Sequence, residues 1–169
     1  MLNGFRDKDI RYAAIGGFAL GVLGVPRATM DLDFLVHRED LPALEALMAA
    51  LGYSRRFHSE NVSQYENKDA AWGSVDFLHA FRKTAISMLG RAMERPVFAG
   101  TAVVRVLRPE DVIGLKVQSM ANDPDRRTKD AADIESLARQ DENVARYLAQ
   151  GEVKKVIYVP DKLLNFVVK

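Results

Sequence analysis

Ile15-Gly16-Gly17-Phe18-Ala19-Leu20, followed by Arg27-Ala28-Thr29-Met30-Asp31-Leu32-Asp33-Phe34-Leu35-Val36, is where the fold declares itself. The pattern is a strand, a glycine turn, a short helix, a loop and a second strand that opens on two carboxylates. Acids two apart on a strand project from one face. Leu32, Phe34 and Val36 alternate with them and face a core. Asp31 and Asp33 therefore share one exposed spot. Like charges that close repel unless a cation lies between them. A divalent metal is the simplest candidate, and oxygen ligands favour Mg²⁺ or Mn²⁺.

Working outward, Arg11 to Ile15 reads as the first buried strand, Phe18 to about Leu23 as the helix, and Asp31 to His37 as the second strand. Residues 3–9 suit a short polar helix or a turn. Asp40 is placed to cap a helix with Pro42 in its first turn, Leu41, Leu44, Leu47, Met48 and Leu51 on one face, and Gly52 at its end. Tyr53 to His58 and Val62 to Glu66 are candidate hairpin strands, and Ser74 to Phe81 is a stronger one. Lys83 to Met93 reads as a helix. Val97 to Ala99 and Ala102 to Leu107 read as short strands around a Gly100-Thr101 turn. Pro109 opens a helix with Glu110 and Asp111 in its first turn, and a further helix spans Arg126 to Arg139.

The third acid is Asp76, between the apolar Val75 and Phe77. If its strand neighbours that of Asp31 and Asp33, three carboxylates converge. Such a set matches a two-metal phosphoryl- or nucleotidyl-transfer site. The Gly16-Gly17 turn at a helix start offers backbone N–H groups to a triphosphate and allows close approach. Each piece alone has a plainer reading: a solvated strand end, an ordinary turn, an exposed sheet face. Their order and spacing together are more specific. Neither the Gly-x-Gly-x-x-Gly fingerprint nor a Gly-Lys-Ser/Thr P-loop is present.

Composition sets the outer bounds. The chain has 169 residues, 48% hydrophobic and 28% charged, with net charge +1. That suits one domain with at most a small appendage and demands no nucleic-acid partner. The absence of cysteine removes disulfides, thiolate nucleophiles and cysteine-held zinc. It fits a cytoplasmic protein. The N-terminus lacks a signal-peptide pattern, and the longest apolar run, Ala13 to Pro26, is too short and glycine-broken to span a membrane.

Gly16-Gly17-Phe18-Ala19-Leu20 and Arg27-x-Thr29-x-Asp31-Leu32-Asp33-Phe34 resemble the opening motif of the polymerase-β-like nucleotidyltransferase superfamily. Pro109 to Lys116, and Arg127-x-Lys129-Asp130-x-x-Asp133-Ile134, resemble the later helices of its small prokaryotic AbiEii-like branch. That branch lies near the MNT-type minimal and the aminoglycoside nucleotidyltransferases. The resemblance covers about residues 10–140.

It implies an α+β fold: a mixed sheet flanked by helices, with a helical C-terminal part. It divides the chain into a catalytic core at 1–108, a helical segment packed on the core at 109–150, and an apolar tail at 151–169. The tail, rich in Val153, Val156 and Ile157 and then Leu163 and Phe166, is an edge strand, a dimer contact or sequence foreign to the domain. The activity implied is Mg²⁺- or Mn²⁺-dependent transfer of an NMP from an NTP such as ATP to tRNA, protein or a small molecule. The setting implied is toxin–antitoxin or phage defence, with a cognate toxin or antitoxin as partner. Two alternatives stand beside it: a non-catalytic nucleotide- or partner-binding antitoxin or regulator, and an aminoglycoside-type resistance transferase.

Carried onto this sequence, the resemblance makes Asp31, Asp33 and Asp76 metal ligands and catalytic acids, Asp76 also the general base. Gly16, Gly17, Arg27 and Thr29 contact phosphate. Lys116 neutralises phosphate charge, and Asp130 orients Lys116 or the acceptor. An exposed salt bridge is the plainer reading of Lys116 and Asp130. Gly17 stands where the family often carries serine. His37 and His79 read as surface strand-end histidines. Trp72 and Tyr65 read as core or hairpin residues, or as base-stacking rings.

Overall fold

In the computed structural model Gly16 and Gly17 are the first residues of a helix, entered directly from a strand. The structure describes the backbone of every residue except Arg27, Met30, Glu152, residues 160–162 and Lys169. The chain divides into two compact units, Met1–Arg108 and Pro109–Lys169.

The first unit runs α1 (Leu2–Asp7), β1 (Tyr12–Ile15), α2 (Gly16–Val22), β2 (Leu32–His37), α3 (Leu41–Ala50), β3 (Tyr53–His58), β4 (Val62–Asn67), β5 (Ser74–Ala80), α4 (Lys83–Gly90), β6 (Met93–Val97) and β7 (Ala102–Val106). Its seven strands form one mixed sheet in the order β3-β4-β5-β2-β1-β7-β6. β1 pairs antiparallel with β2 and parallel with β7, and β2 pairs parallel with β5. The expected mixed sheet flanked by helices is present.

The strand alternation sorts the two faces. Tyr12, Phe34, Phe77 and Tyr65 lie on one side of β1, β2, β5 and β4: Phe34 and Phe77 are direct partners, and Tyr12 and Tyr65 share their face two residues along, opposite Val36 and Val75. There they form an aromatic core with Phe5 of α1. Phe5 and Tyr12 stand 4.3 Å apart between ring centres, and Phe34 and Phe77 stack at 5.7 Å. Packing of this kind supplies roughly 0.5–1.5 kcal/mol per pair beyond burial. Asp33 and Asp76 fall on the opposite side, beside the buried Ile15 and Leu35.

Three expectations need correction. The helix after β5 ends at Gly90, and Met93–Val97 is a strand. Gly90 weakens the last turn, and Pro96 is tolerated because β6 is an edge. Phe98 and Ala99 belong to the turn, in left-handed backbone at φ 52° and 53°. Asp40 makes no side-chain cap on α3. Its carboxylate instead accepts from the Arg11 backbone N–H at 2.9 Å, Nε at 2.8 Å and Nη2 at 2.7 Å. Burial pushes the Asp40 carboxyl up, but those bonds and the Arg11 charge outweigh it and hold it below the usual range.

The second unit holds α5 (Pro109–Asn122), α6 (Arg127–Ala138), α7 (Glu142–Leu148) and a hairpin of β8 (Val153–Val159) with β9 (Leu163–Val168). Both apolar stretches of the tail are strands, and they pair antiparallel with each other. Among the described residues no helix is long and apolar enough to cross a membrane.

Candidate active site

Glycine is required at the mouth of the site by geometry. Gly16 sits at φ +64°, in the left-handed region. A Cβ there would come within 2.0 Å of the Asp33 Oδ2. Gly17 is held less tightly by a different neighbour: its Cβ would lie 2.9 Å from the Thr29 Cβ and 3.1 Å from its Oγ1. A serine at position 17 would collide with Thr29, which accounts for glycine there. Thr29 Oγ1 in turn donates to the Asp31 carbonyl at 3.0 Å and accepts from the Asp31 N–H at 3.3 Å. The loop from α2 to β2 is thereby fastened onto the start of the acid-bearing strand.

The acids are set by register. Asp33 on β2 is the direct partner of Asp76 on β5 in a parallel ladder. Aligned residues of neighbouring parallel strands point to one face, with backbones about 4.8 Å apart. Asp31 lies two residues back, on the same parity, just outside β2. Each outer acid has a neutral donor. The Ser74 hydroxyl donates to Asp31 Oδ1 at 2.7 Å, and the Gln64 amide donates to Asp76 Oδ2 at 2.9 Å. Ser74 and Gln64 were not anticipated. Ser74 precedes Asp76 by two, so strand parity alone carries that signal. Gln64 needs the β4–β5 register, in which it faces Asp76.

Among the described residues, no three His, Asp or Glu side chains are gathered to hold one ion as they stand. The donor chemistry nevertheless suits a hard divalent cation: carboxylate oxygens on one face, two of them held by neutral partners that leave their charge in place. Arg27 lies outside the described residues.

Lys116, Asp130 and Asp133 form a separate cluster within the second unit. Lys116 Nζ donates to Asp130 Oδ1 at 2.9 Å and to Asp133 Oδ2 at 2.7 Å. All three residues are buried, so the exposed salt bridge is overturned. Asp130 Oδ2 is buried without a hydrogen bond, though Arg126 Nε stands 3.8 Å away. Asp130 and Asp133 on α6 are three apart and share a helix face, which lets one lysine bridge both.

His37 and His79 are buried rather than superficial. His37 Nδ1 accepts from the Glu39 N–H. His79 bridges Ser63 Oγ and the Glu60 carbonyl, each at 3.0 Å. Burial pushes its pKa below the ordinary histidine value, against the opposing effect of the Glu60 bond. Tyr65 is core, and Trp72 is 66% exposed. Beside Asp76 the open sheet face carries a cavity of about 340 Å³, lined by Arg56, Phe57, Gln64, Tyr65, Glu66 and Ser74 as well.

Comparison with known proteins bears on the family and the fold. Residues 1–156 match the family described as uncharacterised nucleotidyltransferase. Among solved structures, ANT(2″)-Ia in complex with adenylyl-2″-tobramycin is similar at TM-score 0.65 and 20% identity, covering 88% of this chain and 91% of that one. The lincomycin-bound lincosamide antibiotic adenylyltransferase LnuA gives 0.54 and 13%, covering 80% and 90%. A nucleotidyltransferase-like protein from Paracoccidioides brasiliensis gives 0.56 and 16%, covering 88% and 82%. At these identities the likeness establishes the fold. A short stretch is also similar to leucine--tRNA ligases. It is 57% identical over 42 residues to that of Methylobacillus flagellatus and 64% identical over 36 to that of Acaryochloris marina. The match spans 25% and 21% of this chain but only 5% and 4% of those relatives.

Proposed function

This chain belongs to the family of uncharacterised nucleotidyltransferases, and on that premise we propose that it transfers an NMP from an NTP to a hydroxyl acceptor at the Asp31, Asp33 and Asp76 face. The register pairing of Asp33 with Asp76 carries the reading, because it sets two carboxylates side by side next to a glycine-opened helix.

Asp31, Asp33 and Asp76 would hold divalent metal, Mg²⁺ or Mn²⁺. When bound, the metal would supply positive charge against the triphosphate. Gly16 and Gly17 give the triphosphate close access to backbone N–H groups. Asp76 is the general base. The acceptor oxygen bonds to the α-phosphorus, the bond from that phosphorus to the oxygen bridging to the β-phosphate breaks, and pyrophosphate leaves. The acceptor proton passes to Asp76, whose Oδ2 is already held by Gln64. Thr29 braces the loop that carries Asp31. The sequence resemblance alone would give Lys116 a role toward phosphate charge and Asp130 one in orienting it; within the second unit Lys116 is held by Asp130 and Asp133.

The sequence resemblance to the AbiEii-like branch supports a toxin–antitoxin or phage-defence setting. A small-molecule acceptor of the antibiotic type is the second reading, favoured by the fold shared with ANT(2″)-Ia and LnuA.

The test incubates the purified chain with each α-labelled NTP and Mg²⁺, following pyrophosphate release and label transfer to cellular RNA, protein and an aminoglycoside panel. Turnover by the wild type and its loss in Asp33→Asn are expected. Undiminished turnover in Asp33→Asn would overturn the reading. A wild type that binds NTP without turnover would point to a non-catalytic regulator.

A further inference from the structure

Charge is unevenly placed along this chain. Residues 82–108 hold six basic residues, Arg82, Lys83, Arg91, Arg95, Arg105 and Arg108, and one acid, Glu94. The stretch is therefore +5 in a chain of net +1, which leaves −4 for the rest. It folds as α4, β6 and β7.

Five of the six cations gather on α4. Arg82 is its N-cap and Lys83 its first residue. At the other end Arg91 is the C-cap, Arg105 Nη2 donates to the Leu89 carbonyl at 2.9 Å, and Arg108 Nε donates to the Arg91 carbonyl at 3.1 Å. Cations at a helix C-terminus suit the helix dipole, and those at its N-terminus oppose it. Arg82 and Lys83 are of the second kind, and no acid in the first turn relieves them. Helix stability gives no reason for their placement.

A smooth ridge joins the two cationic ends. Lys83, Ser87 and Arg91 are four apart and line one side of α4, away from the buried Leu89, with Thr84 and Gly90 beside them. Lys83, Thr84, Ser87 and Gly90 are exposed. A Cβ on Gly90 would meet nothing within 4 Å, so the approach to the ridge there is open. Arg91 Nη1 donates to Ser87 Oγ at 2.8 Å, which lays the guanidinium along the ridge. The eight residues of α4 span about 12 Å.

Chemistry narrows the occupant. A second copy of this chain, docked by two-fold symmetry, would set cation against cation. A protein interface centres on aromatic and apolar anchors with charge depleted at its core. The ridge has small polar residues at its centre, cations at its ends and no aromatic ring. Arginine, lysine, serine and threonine are the side chains that hold phosphate and sugar. Residues this small do not reach into a deep groove to read bases. They fit against the wide, shallow minor groove of an RNA helix, which displays 2′-hydroxyls.

We propose that α4 is the docking surface for an RNA stem. Arg82 and Lys83 hold phosphates at one end and Arg91 and Arg108 at the other, while Thr84 and Ser87 meet 2′-hydroxyls between them. No carboxylate of the candidate active site takes part, and binding needs neither NTP nor metal. The proposal goes beyond the transferase reading and stands without it.

Fluorescence anisotropy of the full chain, without NTP or Mg²⁺, tests it. The probe is a labelled RNA hairpin of about 16 base pairs. The same hairpin in DNA and an unpaired RNA of equal length are the comparisons. The RNA hairpin is expected to bind tightest, and to weaken as salt rises. The double variant Lys83→Gln/Arg91→Gln is expected to lose about tenfold in affinity and to lower the salt slope by about two, one for each phosphate contact. Ser87→Glu, a single change at an exposed position, is expected to lose about as much. Arg6→Gln removes an exposed charge on α1 and is expected to change neither quantity. Unchanged far-UV circular dichroism confirms that each variant folds. The proposal is overturned by no binding at about 100 mM salt, by wild-type affinity in both ridge variants, or by an equal loss in Arg6→Gln. DNA or unpaired RNA binding as tightly as the RNA hairpin also overturns it. Displacement by poly-L-glutamate as readily as by unlabelled hairpin overturns it in favour of an acidic protein.

Discussion

Gly16 and Asp33 are in contact so close that no side chain fits between them: a Cβ on Gly16 would stand 2.0 Å from the Asp33 Oδ2. The turn and the acid are one unit, with Ile15 the direct strand partner of Asp33. Gly16→Ala must both leave the left-handed region and displace that carboxylate. The backbone effect costs about 1 kcal/mol. A displacement of the order of 1 Å at a reacting centre costs about 100-fold in rate. Pyrophosphate release should fall by about that factor while the thermal midpoint moves by only a few degrees. Wild-type turnover in this variant would show that the placement of Asp33 is not needed.

Ser74 holds Asp31 through a 2.7 Å hydrogen bond. Removing a bond to a charged group costs roughly 1.5 kcal/mol or more, about tenfold in rate. Ser74→Ala should lower kcat by about that factor with little change in NTP KM, and Ser74→Thr, which keeps the hydroxyl, should restore it. A failure of Thr to rescue would count against the positioning role.

Lys116 separates two buried acids. Lys116→Met removes the ammonium that bonds both Asp130 and Asp133 in a buried cluster, a loss of about 3–5 kcal/mol. Urea unfolding followed by circular dichroism should show a lower midpoint. The triple variant with Asp130→Asn and Asp133→Asn should regain much of it, because the neutral amides no longer repel. If the triple variant is less stable than Lys116→Met, charge repulsion is not the cause.

His79 gives stability a pH dependence of known sign. The Glu60 carbonyl only accepts, so His79 Nδ1 carries the proton and Nε2 accepts from Ser63. Protonating Nε2 breaks that arrangement in a buried site. The unfolded histidine titrates near 6.5 and the folded one lower. Between the two values the unfolded state binds more protons, so unfolding free energy falls as pH drops below about 6.5. Denaturant melts across that range should show the fall, and His79→Asn should flatten it. A slope unchanged in the variant would assign the effect to other groups.

The glycine turn, the Asp-x-Asp strand, the Asp76 strand and the helices of the second half were legible because each is local. Alternation places Asp33 opposite the Phe34 face, whereas Asp31, expected on the same strand, lies in the bend just before it and is held by Ser74. What could not be read depends on neighbours distant in sequence. Asp40 has the residue type of a cap, but Arg11 competes for its carboxylate. Lys116 looks like a surface lysine until α6 supplies two acids. His79 looks superficial until Ser63 and Glu60 enclose it. The strand at Met93–Val97 was hidden by a helical pattern that Gly90 cuts short.

The parallel ladder between β2 and β5 fixes Asp33 against Asp76 through backbone bonds that the intervening α3 and β3–β4 hairpin do not make. The hairpin can lengthen, shorten or change its bulge, and the two acids keep their alignment. The ladder that aligns the two acids and the hairpin that brings Gln64 to Asp76 are thus separate pieces of chain, so the hairpin can be redrawn over evolutionary time, or in the laboratory, while the acids keep their register.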